Sequence, residues 1–109
     1  MKDHQLIDQR SLALARAIAE KIAAQPALIA RAESNLHRWL QTCSPAARPV
    51  LLEWQSLLKG SLEDLLEVLR DPGEHGTRLR QSNPFAGVLS AEERMAIFEE
   101  FERREPHAA

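Results

Sequence analysis

A chain of 109 residues with 44% hydrophobic content, a net charge of −2 and a single cysteine fits one soluble domain with a real core. At that size a compact fold has a radius of gyration of about 13 Å. One cysteine, Cys43, leaves no disulfide framework and no CxxC metal site. The opening Met1-Lys2-Asp3-His4-Gln5 lacks an apolar stretch behind it, so no signal peptide is expected. No apolar run approaches the ~20 residues that span a bilayer, and a reducing, cytoplasmic setting is the expectation.

The first helix is expected from about Leu6 to Ala24. Ile7, Ser11, Leu14, Ile18 and Ile22 recur at helical spacing, and Ala15 and Ala19 widen the stripe. These alanines would admit a second helix closely, so a homodimer through helix one is conceivable. Gln25-Pro26 ends that helix, and Pro26 suits the first turn of the next. The second helix is expected through about Thr42, with Ile29, Ala32, Leu36, Trp39, Leu40 and Cys43 inward and Ser34-Asn35 weakening its middle. Ser44-Pro45 and Pro49 break the chain before a third helix. There Val50, Leu51, Trp54, Leu57 and Leu58 mark one apolar face, and Lys59-Gly60 closes it. Ser61 then caps a fourth helix with Asp64 at N3, and Leu62, Leu65, Leu66, Val68 and Leu69 point inward.

Asp71-Pro72-Gly73 is turn chemistry leading into a short helix to Arg80 that Gly73 and Gly76 should break up. From Arg78 to Leu89 the chain then has neither helical nor strand periodicity. Pro84 pushes Asn83 out of the α region, Gly87 permits a positive φ, and Phe85 is carried between them on a bend. Ser90-Ala91-Glu92-Glu93 is a capping box that opens the last helix, expected through about Arg104, with Glu105 to Ala109 frayed. Met95, Ile97, Phe98 and Phe101 give it an apolar side, while Glu92, Glu93, Glu99, Glu100 and Glu102 coat the rest. The fold expected is all-α, residues 1–109 as a single bundle of about five helices with one structured loop before the C-terminal helix.

Chemistry-bearing residues are sparse. Histidines 4, 37, 75 and 107 form no pair at ligand spacing, and no phosphate loop, dinucleotide fingerprint or nucleophile elbow is present. No metal, no cofactor and no catalytic residue is therefore expected. Charge is unevenly spread: residues 1–59 carry eight Lys/Arg against five Asp/Glu, and residues 60–109 six against eleven. A helix-turn-helix over helices three and four would place Glu63, Asp64 and Glu67 on the recognition helix, where phosphates repel them. Nucleic-acid binding would fall instead to the basic half, through Arg16, Lys21, Arg31, Arg38 and Arg48, as a small DNA-binding transcriptional regulator.

The bend has two readings. It could dock Phe85, Val88 and Leu89 into the bundle while Arg78 and Arg80 tie down acidic helix ends. Alternatively, an irregular, partly apolar segment beside an acidic helix forms a partner-binding edge. The string Arg78-Leu79-Arg80-Gln81-Ser82-Asn83-Pro84-Phe85-Ala86-Gly87-Val88-Leu89, followed by Glu92-Glu93-Arg94 in a capped helix, resembles a group of small bacterial proteins. Glu53-Trp54 and the Asp71-Pro72 turn are similar there too, and the resemblance covers roughly residues 28–101. Where those proteins carry an aromatic after Glu-Arg this chain has Met95, so an aromatic contact at that point is not carried over. The resemblance implies an antitoxin-like member of a two-gene toxin–antitoxin operon. On that reading the chain is a non-enzymatic module that neutralises a cognate protein with a basic surface. Arg78, Arg80, Gln81, Asn83 and Phe85 would make contacts, and Glu92, Glu99 and Glu102 would steer.

Overall fold

The computed structural model of the chain describes the backbone of residues 2–104 and the side chains of residues 7–103. The expected tail, Glu105 to Ala109, and His4 and His107 lie outside the described residues or side chains. Six α-helices and one 3₁₀ turn follow in order: α1 (Lys2–Ala24), the turn (Pro26–Leu28), α2 (Ile29–Thr42), α3 (Arg48–Lys59), α4 (Leu62–Arg70), α5 (Glu74–Arg80) and α6 (Ala91–Arg104). The all-α expectation holds, with one helix more than about five, and no strand occurs among the described residues. None of these helices is long and apolar enough to cross a membrane.

The first helix begins at Lys2, a turn before the expected start. Its middle supplies Ala15, Ile18, Ala19 and Ile22 to the core, and it packs on α4, α5 and α6. Ala15 and Ala19 have no exposed surface, so they seat helices of the same chain rather than a second copy. Ile7, expected in the same stripe, is 59% exposed. A helix of this length spans about 34 Å at 1.5 Å per residue. The molecule is accordingly elongated, 47 × 32 × 23 Å, with a radius of gyration of 14.5 Å.

Proline and cap chemistry set most boundaries. Pro26 starts the 3₁₀ turn, so the second helix becomes α-helical only at Ile29. Ser61 Oγ accepts from Asp64 N at 3.1 Å, and Ser90 and Glu93 form the reciprocal box: Ser90 N donates to Glu93 Oε1 at 2.7 Å, Glu93 N to Ser90 Oγ at 3.1 Å. The short fifth helix departs from expectation. Gly76 does not interrupt it but lies buried inside it, where a Cβ would collide with the Asp71 backbone. Glycine therefore permits the turn at 71–73 to fold back on α5. Asp71 caps that turn from outside the helix, its two carboxylate oxygens accepting from Gly73 N at 2.8 Å and Gly76 N at 3.1 Å.

Trp54 of α3 joins the α2–α3 pair to the rest. It is wholly buried, its indole Nε1 donates to Leu79 O at 2.9 Å, and its ring meets Phe85 edge-on at 5.9 Å. Leu79 O also accepts from Ser82 N at 3.1 Å, so it keeps one partner if the indole is lost. Trp54→Phe should therefore lower stability by about 1–2 kcal/mol and Trp54→Ala by about 3–5 kcal/mol. Urea unfolding midpoints test this; equal midpoints for wild type and Trp54→Phe would show that the indole bond holds nothing.

Candidate functional site

The segment from Gln81 to Leu89 is a docked loop, and its backbone conformation follows from its residues. Asn83 Oδ1 accepts from Phe85 N at 2.8 Å, an Asx turn that uses the asparagine on its own chain. Val88 N donates to Phe85 O at 3.1 Å, closing a turn with Gly87 at φ +86°, the position of a type II turn that favours glycine. This drives Phe85, Val88 and Leu89 into the core, leaving only Gln81, Ala86 and Gly87 of the loop exposed.

A loop so deeply seated needs partners for its carbonyls. Asn35, from the middle of α2, supplies them: its Nδ2 donates to Pro84 O at 2.9 Å and to Ala86 O at 3.0 Å. Arg38 Nη2 donates to Asn35 Oδ1 at 2.6 Å, so two acceptors on one side and a cation on the other set the carboxamide's orientation. Asn35, read as a weak point of the helix, is buried and holds the loop. The signal was available, since Asn35 falls on the face of Ala32, Leu36 and Trp39.

The residues expected to meet a partner separate into two groups. Phe85 is 2% exposed and Arg80 6%, so neither can serve as a contact anchor on this surface. Arg80 does tie down an acidic helix end, the Asp71 C-cap of α4, but through that residue's backbone carbonyl rather than its carboxylate. Its Nη1 donates to Asp71 O, its Nη2 to Thr77 Oγ1 at 3.1 Å, and its buried Nε has no partner. Burial pulls its pKa below the ordinary arginine value against the opposing Asp71 and Asp8, and the guanidinium stays charged. Asn83 is half-buried and Gln81 exposed. Arg78 is exposed and reaches Glu53 Oε1 at 3.0 Å, which holds that carboxyl below its ordinary value. Glu92, Glu99 and Glu102 are all exposed on α6.

Helix α6 rests on α1 with one face. Lys21 Nζ meets Glu93 Oε1 at 2.6 Å, Ile97 packs against the core, and the Arg10 guanidinium lies 4.7 Å from the Phe98 ring centre. No described residue of α6 is fully buried, and Met95, expected on the apolar side, is 58% exposed. Two open grooves flank the loop. One of about 280 Å³ is lined by Leu14, Ile18, Phe85, Leu89 and Arg94; the other, of about 400 Å³, by Trp39, Cys43, Leu51, Gln81 and Asn83. Cys43 is half-buried there, its Sγ 3.8 Å from Leu40 O. Among the described residues no His, Cys, Asp or Glu side chains converge as a metal site would require.

Of the basic residues of the N-terminal half expected to meet nucleic acid, Arg16 is exposed, and the others make contacts within the chain. Lys21 is paired with Glu93, Arg38 holds Asn35, Arg48 reaches Leu40 O at 3.4 Å, and Arg31 lies against Gly87. No protein-family model, curated protein or solved structure matches the chain.

Two predictions follow from this geometry. Asn35→Asp keeps the shape but removes both donated hydrogens, and should destabilise by about 1–3 kcal/mol. Hydrogen exchange should accelerate at Phe85 and Val88 while core amides of α4 keep their protection; unchanged loop exchange would refute the clamp. The second concerns Glu93, whose carboxyl is held below its ordinary value by Lys21 and the Ser90 N–H. A depressed folded pKa gives stability that is present above the unfolded value of about 4.3 and lost as pH falls through the folded one. Melting temperature should thus fall less steeply with acid in Glu93→Gln than in wild type; parallel curves would exclude this linkage.

Proposed function

We propose that the protein is a non-enzymatic binding module that engages a cognate protein of basic surface through the outward side of α6, in the manner of an antitoxin. The observation that carries this reading is the division of α6 into two sides. Glu93 and Ile97 face α1, whereas Glu92 and Glu99, one heptad apart, project to solvent with Glu102 one turn further on. Like charges at that spacing do not help a helix form. They do create a negative ridge that accelerates encounter with a cationic partner and disfavours nucleic acid. Loop residues contribute differently from the expectation. Phe85 and Arg80 hold the loop's shape, and the exposed Arg78, Gln81, Ala86 and Gly87 are the positions from that segment left to touch a partner. The toxin-type identity of the partner rests on the sequence resemblance.

The DNA-regulator alternative receives no specific support, because most of its basic residues are engaged within the chain as described above. Co-expression with the product of the neighbouring gene tests the proposal. A one-to-one complex is expected, and Glu92→Lys/Glu99→Lys should weaken it at least tenfold without changing the circular dichroism spectrum. Affinity should also fall with salt. Phe85→Ala should instead lower the melting temperature. No complex, or one indifferent to the double reversal, together with a shift of duplex DNA, would replace this reading with the regulator.

A further inference from the structure

The groove of about 280 Å³ beside the loop combines an apolar floor with a cationic edge. Leu14 and Ile18 of α1 meet Phe85 and Leu89 of the loop along the floor, and Arg94 is the only charged residue of the lining. Arg94 is exposed and makes no hydrogen bond or ion pair among the described residues. Its neighbour Glu93 is already taken by Lys21 and the Ser90 N–H. Gly87 belongs to the same lining, and the Arg31 guanidinium rests on it where a Cβ would stand. Arg31 is likewise exposed and has no acidic partner among the described residues. The turn adds donors of its own. Phe85 O is taken by Val88 N, but the amides of the exposed Ala86 and Gly87 make no bond within the described chain.

Unpaired guanidiniums and free backbone amides at the edge of an apolar depression suit a carboxylate. The floor is small, so the carboxylate must lie close to the apolar group that fills it. A volume of about 280 Å³ falls at the lower end of the ~300–1,000 Å³ of small-molecule pockets, room for one side chain rather than a long acyl chain. A C-terminal Leu or Phe carries both groups on one Cα, and an open groove lets the rest of its chain leave into solvent. We infer that this groove takes the apolar C-terminal residue of a partner polypeptide. The side chain lies on Leu14, Ile18, Phe85 and Leu89, and the α-carboxylate is met by Arg94 and Arg31 at the Gly87 turn. The site belongs to the side of α6 toward α1 and the loop. It therefore goes beyond the reading built on the outward carboxylates and does not depend on it.

An NMR titration of isotope-labelled protein with the acetylated peptide Gly-Ser-Gly-Leu, as free acid and as C-terminal amide, tests the site. The free acid is expected to shift the Ala86, Gly87 and Leu89 amides saturably, with a millimolar or tighter Kd. The peptide amide should bind about fivefold more weakly or worse, since it offers the arginines no charge. Arg94→Gln removes an exposed, unpaired side chain, so the melting temperature should hold while the free acid falls to the level of the amide. Octanoate, with the same carboxylate on a longer chain, should bind no tighter than the peptide. No saturable shift at those three amides overturns the inference. So does equal binding of acid and amide to wild type, or an acid that binds Arg94→Gln as well as wild type. Octanoate outcompeting the peptide would replace the polypeptide end by a fatty acid.

Discussion

A single carboxamide decides whether the segment after α5 is a surface loop or part of the core. Pro84 and Phe85 can be buried only if the carbonyls beside them are satisfied, and Asn35 answers that need with both of its hydrogens. Trp54 completes the attachment by donating to Leu79 O just before the loop and lying edge-on to Phe85 just within it. These two side chains come from α2 and α3, and both act on residues 79–86. The α2–α3 pair is thus bound to the rest of the molecule partly through a segment with no regular structure of its own, besides the packing of α3 on α4. That explains why the loop is rich in turn residues yet buried: Asn83 and Gly87 shape it so that Asn35 and Trp54 can reach it.

The consequence for function is a redistribution of roles. An irregular segment with an aromatic and two arginines has the composition of an interaction site. Here the aromatic fills the core, one arginine braces the 71–73 turn and the other pairs with Glu53 at the surface. The helix held least by the rest of the chain is α6, attached by one face, capped at its start and lacking any buried residue among those described. Its exposed carboxylates Glu92, Glu99 and Glu102 are the groups on which the proposed contact with a basic partner rests.

Glu93 links these levels. Its carboxylate closes the cap of α6 and receives the Lys21 ammonium of α1, so the bond that starts the helix also fixes its attachment. Both partners remain accessible to water, which screens the pair and keeps it modest. The placement of α6 therefore relies on several small terms: the cap, Lys21, Ile97 in the core and Arg10 on Phe98.

Ends of helices were legible in the residues themselves. Ser61, Ser90, Pro26 and the Gly87 turn act on backbone groups within about four positions, so their chemistry is local and needs no knowledge of the fold. The helical periodicity that gave the all-α class is local in the same sense. Burial of a given side chain is different, because it depends on what the folded chain places opposite. Asn35 read as a weak spot because its partners lie 49 and 51 residues away. Gly76 read as a break because the Asp71 backbone that excludes a Cβ there is brought in by the fold-back. Phe85, with Val88 and Leu89, could be read either as docked in the bundle or as a partner edge, and burial bears out the first; Arg80 looked available and Met95 internal for the same reason. Sequence by itself determined the class, the caps, the turn and most of the apolar faces, Trp54, Leu65 and Leu69 among them; tertiary structure alone decided the burial of Asn35, Gly76 and Arg80 and the exposure of Met95, since only packing of distant segments sets that.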